Sequence, residues 1–257
     1  MSDVRRELRD GALWLTFERP AARNAMTFAM YEALETVARD VNDDAQARAL
    51  VITGAADAFI AGTDIAQFKE FRTAADAYAY EDRMDHVLGA LEAVRKPTIA
   101  AIGGPATGGG LAIAAACDLR IATASATFGM PIARTLGNCL SLANLVRISS
   151  LVGLARTKEL IFTARIVGAD EAKALGLVNE VVPDRAALAA RVTELVRTVT
   201  SHAPLTLWAT KEGLRRIRDR MLSEDTHDLV ALCYTSDDFR EGVRAFMERR
   251  KPVWKGT

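Results

Sequence analysis

Apolar positions along the chain repeat first at the strand period, then at the helical one, and the two alternate for most of its length. "GALWLTFERP" reads as a strand that Pro20 ends. Met26, Met30, Leu34, Val37 and Val41 then recur at helical spacing through "TFAMYEALETVARDVND". "ARALVITG" is a buried strand closed by Gly54, "TDIAQFKEF" opens a short helix, and "AADAYAYEDRMDHVLGALEAV" forms a longer one that stops before Lys96 and Pro97. "PTIAAIGG" and "DLRIATA" are further strands, separated by a glycine triplet and an apolar helix. The alternation persists to "LGLVNEVVP" and predicts an α/β layer with parallel strands. After that, "RAALAARVTELVRTVTSHA", "LTLWATKEGLRRIRD", "EDTHDLVALCYTS" and "DDFREGVRAFMERR" are all helical, broken by Pro204 and by caps at Ser223 and Asp237. The pattern divides the chain into an α/β core over 1–200 and a helical C-terminal region over 201–257.

Composition narrows the class. The chain has 257 residues, half of them hydrophobic, with 33 basic and 33 acidic side chains. A balanced charge argues against a nucleic-acid or membrane-surface partner, because either usually leaves a basic excess. Cys117, Cys139 and Cys233 lie far apart with no CxxC pair, so neither a disulfide framework nor a zinc site is expected. "MSDVRRELRD" has no apolar stretch of a signal peptide, and no apolar run reaches the roughly 18 residues of a membrane span. A cytoplasmic location is expected.

Two strand-to-helix turns are the candidate chemistry. In "FIAGTDI", Gly62 precedes Thr63 and Asp64, which open a helix; in "ATGGGLAI", Gly108, Gly109 and Gly110 stand between a strand and the helix from Leu111. Backbone N–H groups are exposed at such turns before helical pairing begins, and the helix dipole adds partial positive charge. Either turn alone is usually just a tight connection. The triplet lacks the Gly-Lys-Ser/Thr of a phosphate loop, and no dinucleotide fingerprint reads across it. No G-x-S-x-G is present for a serine hydrolase.

Together, "AFIAGTDIAQF", "KPTIAAIGGPATGGGLAIAAACDLRIATASATFGMP" and the tail "DDFREGVRAFMERRKPVWKG" resemble the enoyl-CoA hydratase/isomerase (crotonase) superfamily, in its order and spacing. The resemblance implies a spiral of ββα units followed by a helical oligomerisation region, and a homotrimer or dimer of trimers. It implies an acyl-CoA substrate, with no cofactor beyond the coenzyme A of that substrate, and no metal. It assigns Thr63 and Gly109 as the two peptide N–H donors of an oxyanion hole for the thioester oxygen. Arg23, Ala61, Asp64, Ile65, Gly108, Pro131, Phe246 and Arg249 match substrate- or CoA-contacting positions. For Asp64 the alternative is a helix cap, and for Phe246 it is core or interface packing.

Hydratases of that superfamily carry one glutamate three residues after the middle glycine and another after the F-G-x-P turn. Here those positions hold Ala112 and Ile132. Neither side chain can activate water or deliver a proton. Arg134, Asn138, Ser141 and Glu81 are the candidate substitutes, with an ion pair as the alternative for Arg134 and a solvated helix face for Glu81. The nominal activity is enoyl-CoA hydration. Isomerisation, decarboxylation, thioester hydrolysis and non-catalytic acyl-CoA binding are its competitors.

Overall fold

The computed structural model describes residues 3–220, 222 and 227–257, so the expected cap at Ser223 lies outside the described residues. A hairpin of β1 (Val4–Arg9) and β2 (Ala12–Phe17) leads into α1 (Phe28–Asp40) and β3 (Ala49–Gly54). A 3-10 turn over Ile65–Glu70 and α2 (Ala74–Glu92) precede β4 (Thr98–Ile102), β5 (Ala106–Thr107) and α3 (Gly109–Ala116). Next come β6 (Leu119–Thr123), β7 (Thr127–Gly129), α4 (Ile132–Thr135) and α5 (Leu142–Phe162). The chain ends through β8 (Val167–Gly168), α6 (Ala169–Ala174), β9 (Glu180–Val182), α7 (Arg185–Ser201), α8 (Pro204–Asp219), α9 (His227–Tyr234) and α10 (Asp237–Met247).

Six strands form one sheet in the order β1-β2-β3-β4-β6-β9, antiparallel only at the β1–β2 edge. The expected parallel layer is therefore present. Its central strands β2, β3 and β4 are apolar on both faces, as a sheet covered on both sides requires. Leu15, Phe17, Leu50, Ile52, Ala100 and Ile102 pack with α1, α2 and α3. Trp14, Val51, Ile99 and Ile121 alternate with them and pack against Leu188, Val192 and Val196 of α7.

A second sheet, β5-β7-β8, is too short to show any period in the sequence. β1 escaped notice for a different reason: "VRRELR" is an exposed, charged edge with no apolar alternation. The cap of α10 is Ser236, whose hydroxyl accepts from the Phe239 N–H at 3.0 Å, so Asp237 is the first helical residue and not the cap. Among the described residues no helix is long and apolar enough to cross a membrane.

The last helices are not a separate layer. Val230 and Tyr234 of α9 and Phe239 of α10 pack on Phe68 and on Ala77 of α2, so the C-terminal region roofs the same cavity that the core opens. α8 behaves differently: it has no buried residue. Its attachment to the sheet includes Lys211, which donates to Asp118 at 2.8 Å while Asp118 also accepts from the Thr98 N–H and hydroxyl.

The tightest constraint lies at α3. A Cβ on Gly110 would stand 2.0 Å from the Ile60 carbonyl oxygen. Gly110→Ala is expected to lower the unfolding free energy by about 3 kcal/mol, the upper range for overpacking against backbone. Gly89→Ala on α2, where nothing lies within 4 Å, should instead stabilise by about 0.5–1 kcal/mol. Urea unfolding of the two variants checks both signs.

Candidate active site

The two glycine turns meet at one end of the molecule. Ile60 bridges Ala106, and Met26 bridges Thr63, tying the 58–64 segment to β5 on one side and to the approach to α1 on the other. The bonds holding the turns run from Met26 N–H to Gly62 O, Asp64 N–H to Met26 O, and Gly108 N–H to Gly129 O. Among the described residues the N–H groups of Thr63 and Gly109 take no part in such bonding. Gly62 at φ +102° and Gly108 at φ +52°, the residues just before these groups, adopt backbone conformations that favour glycine.

The five glycines of residues 103–110 have mostly internal duties. A Cβ would meet Arg185 at Gly103, the Asp57 carbonyl at Gly104, the Tyr31 hydroxyl at Gly109 and the Ile60 carbonyl at Gly110, each within 2.3 Å. Gly108 alone is open, its nearest such neighbour being the Gly62 Cα at 3.7 Å.

Between the turns and α2 lies a cavity of about 230 Å³. Its walls are mainly apolar: Phe68, Met84, Leu88, Ile132, Leu136 and Leu140. Thr63, Gly108 and Gly109 open into it, and among its described lining residues Glu81 is the one carboxylate and there is no Lys, Arg or His. Ala112 and Ile132 face it as hydrocarbon.

Glu81 reaches the cavity because Ala77, Glu81, Met84 and Leu88 fall on one face of α2. Its carboxylate accepts hydrogen bonds from the Tyr234 hydroxyl and from the Ser141 N–H. Burial nevertheless dominates and pushes its pKa up to about 7, with Asp85 and Asp82 adding to the rise. The helix behind it is anchored by ions. Arg147 of α5 binds Glu92 at 2.9 and 3.0 Å and Asp85 at 3.3 Å, and Arg218 of α8 also reaches Glu92.

Other expected residues divide cleanly. Ala61, Ile65, Gly108, Pro131, Asn138 and Phe246 line the cavity, Phe246 from within the same chain. Asp64 is not among them: its carboxylate caps the 3-10 turn through the Ala66 N–H at 3.1 Å and pairs with Arg19 at 2.7 Å, as the cap alternative expects. Ser141 is likewise structural in its side chain, donating to Asp85 at 2.8 Å and capping α5. Arg134 is exposed outside the lining, as are Arg23 and Arg249. Asn138 donates to the Tyr234 hydroxyl at 3.0 Å and so belongs to the support of Glu81.

Sequence reasoning missed Tyr31. It occupies a position on the apolar stripe of α1, where nothing distinguishes a core tyrosine from a functional one. Its hydroxyl lies 2.8 Å from the Thr63 hydroxyl, which is 3.4 Å from that of Tyr80. Burial pushes the Tyr31 pKa up to about 12, so it is a neutral hydroxyl at physiological pH. Among the described residues no cluster of His, Cys, Asp or Glu could hold a metal ion.

Thr63 and Gly109, whose N–H groups have no backbone partner among the described residues, thus both line one mainly apolar cavity. The chain belongs to the enoyl-CoA hydratase/isomerase family, whose model matches residues 7–257. It is 35% identical over 247 residues to the short-chain-enoyl-CoA hydratase of Clostridium acetobutylicum, covering 92% of this chain and 91% of that one. A crystal structure of an enoyl-CoA hydratase/carnithine racemase from Magnetospirillum magneticum matches with a TM-score of 0.81 at 32% identity, covering 100% and 97%. Methylmalonyl-CoA decarboxylase in complex with 2-nitronate-propionyl-CoA matches with a TM-score of 0.90 at 25% identity, covering 100% and 99%. The protein is thus an acyl-CoA enzyme of this family.

Glu81 makes stability depend on pH in a definite direction. Its folded pKa of about 7 lies above the ordinary 4.5, so the folded state holds the proton more tightly than the unfolded chain. The resulting stabilisation is full below pH 4.5 and is lost as pH rises toward 7. Glu81→Gln, which mimics the protonated acid at all pH values, should match the wild type at pH 4.5 and exceed it by roughly 3 kcal/mol at pH 8. Denaturant unfolding at the two pH values measures the difference.

Proposed function

We propose that the enzyme forms an enolate at a CoA thioester and moves a proton within its acyl chain, without adding water. The observation that carries this reading is a cavity with two free peptide donors and one carboxylate, where positions 112 and 132 hold Ala and Ile. The thioester oxygen sits between the N–H groups of Thr63 and Gly109. A 3-enoyl thioester gives its α-proton to the Glu81 carboxylate. The C–H electron pair moves into the conjugated system and places negative charge on the oxygen, where each donor is worth about 3 kcal/mol. Glu81 then returns the proton to the γ-carbon, giving the 2-enoyl thioester. The step balances without water, metal or redox cofactor.

Several features support this over the competitors. A pKa of about 7 lets Glu81 act as base and acid near neutral pH. Water addition needs a group to activate water and one to deliver the proton, and hydrocarbon fills both usual places. A carboxylated acyl group, as decarboxylation requires, would meet Glu81 and no cation among the described lining residues. Exposed Arg23 and Arg249 are the proposed partners of the CoA phosphates, with Phe246 at the entrance.

The test is deuterium exchange at the α-carbon of butyryl-CoA in D2O, followed by mass spectrometry, alongside conversion of 3-hexenoyl-CoA to its 2-enoyl isomer. Both are expected in the wild type, and Glu81→Gln should lower them by about 100-fold or more. Crotonyl-CoA hydration at about 10⁴–10⁸ M⁻¹s⁻¹ would overturn the reading. Tight thioester binding with neither exchange nor isomerisation would make the protein a binding protein instead.

We also propose a homotrimer or a dimer of trimers, with the uncovered apolar side chains of α8 and α9 at subunit contacts. Leu205, Leu214 and Ile217 are 76%, 63% and 64% exposed, and Leu232 is 71% exposed, more contiguous hydrocarbon than a monomer usually leaves in water. Sedimentation should give a stable trimer or hexamer at micromolar concentration; a folded monomer there refutes it.

A further inference from the structure

Tyr31 stands behind the two proposed donors and touches both of the turns that present them. Its hydroxyl is bonded to the Thr63 side chain at 2.8 Å, and it occupies the place where a Cβ on Gly109 would be, 2.3 Å from that position. The same imaginary Cβ would lie 3.0 Å from the Thr63 hydroxyl. One phenol oxygen therefore fills the space that separates the Thr63 turn from the start of α3. Tyr80 extends the chain of hydroxyls from the other side, 3.4 Å from Thr63.

We propose that Tyr31 is a positioning residue: its hydroxyl is a strut that fixes the separation of the Thr63 and Gly109 N–H groups. The proposal rests on the reading that these two groups bind the thioester oxygen. Each turn contains a glycine of positive φ, Gly62 and Gly108, with no side chain of its own to set its distance from the other. α1 is rigid: Tyr31 is a buried residue on its core-facing side, one position after the capping-box residue Met30. A phenylalanine at position 31 would keep the ring in the core and leave Thr63 without its 2.8 Å partner. The hydroxyl thus couples α1 to both turns at the wall of the cavity, which Tyr31 also lines. A misplacement of about 1 Å in such a site costs on the order of 100-fold in rate.

Spectroscopy reads this role directly. A 2,4-hexadienoyl-CoA thioester absorbs at longer wavelength when its carbonyl is polarised by two aligned donors. Wild-type protein should shift that band on binding, and Tyr31→Phe should lose at least half of the shift. Exchange at the α-carbon of butyryl-CoA should fall about 10- to 100-fold in the same variant, with its Kd for butyryl-CoA within about threefold, a split that general destabilisation would not produce. Thr63→Val removes the same bond from the other side and should reproduce the effect, while Thr63→Ser, which keeps the hydroxyl, should restore it. Gly109→Ala should be less damaging in the Tyr31→Phe background than alone, because the clashing oxygen is gone.

An unchanged band and exchange rate in folded Tyr31→Phe would overturn the strut. If Tyr31→Phe fails to fold, the Thr63→Val and Thr63→Ser pair decides by the same readouts. No shift in the wild type would overturn the oxyanion-hole reading itself, and with it the strut.

Discussion

Everything at the site depends on how closely two pieces of backbone approach one another. The start of α3 sits against the Ile60 carbonyl with room for hydrogen but not for carbon, and the Thr107 N–H donates to that same carbonyl at 3.1 Å. Gly104 meets Asp57 in the same way. These contacts bring two strand-to-helix turns side by side, so that N–H groups from segments far apart in the sequence open into one cavity. A single Cβ in this seam would push the donors apart. The glycines are therefore chiefly a packing device, and the exposed N–H groups result from that packing.

α2 reaches two parts of the cavity. Tyr80 and Glu81 are neighbours in sequence, yet Tyr80 reaches Thr63 while Glu81 turns toward Tyr234, which Asn138 also contacts. Such a helix must not rotate, and its back is accordingly clamped. Arg147 grips Glu92 with two hydrogen bonds, and Arg218 comes to the same carboxylate from α8. Buried ion pairs of this kind contribute little net stability against a hydrocarbon replacement, but breaking one leaves a stranded charge. Their value here is registration: they hold α2 in one rotational setting.

The fold was readable where periodicity was strong and unreadable where elements were short. β2, β3, β4 and β6 and the helices α1, α2 and α7 all follow the hydrophobic pattern. β5, β7 and β8, of two or three residues each, carry no period at all. The two glycine turns are legible because each sets glycine beside a helix start, and the structure brings both to one cavity. Asp64 and Ser141 share one ambiguity: short polar side chains at helix starts resemble site residues in sequence, and both make capping bonds. Tyr31 was invisible because its helical position predicts burial, and burial is what it has. Only its distance to Thr63 and Gly109 distinguishes it, and that distance is a tertiary fact.

Ala112 and Ile132 affect the chemistry beyond removing two carboxylates. Hydrocarbon at both positions makes the cavity drier, and a dry cavity raises the cost of any charge within it. That cost falls on Glu81, whose pKa rises to about 7 mainly through desolvation despite two hydrogen bonds that oppose the rise. A pKa near neutrality brings the strength of the Glu81 base closer to that needed for proton transfer at carbon. Ordinary hydratase carboxylates would add charge, lower the cost of hydrating the cavity and admit water as a reactant. On the proposed reading, the apolar walls that leave no carboxylate at positions 112 and 132 also belong to the burial that raises the Glu81 pKa, so one physical cause bears on both.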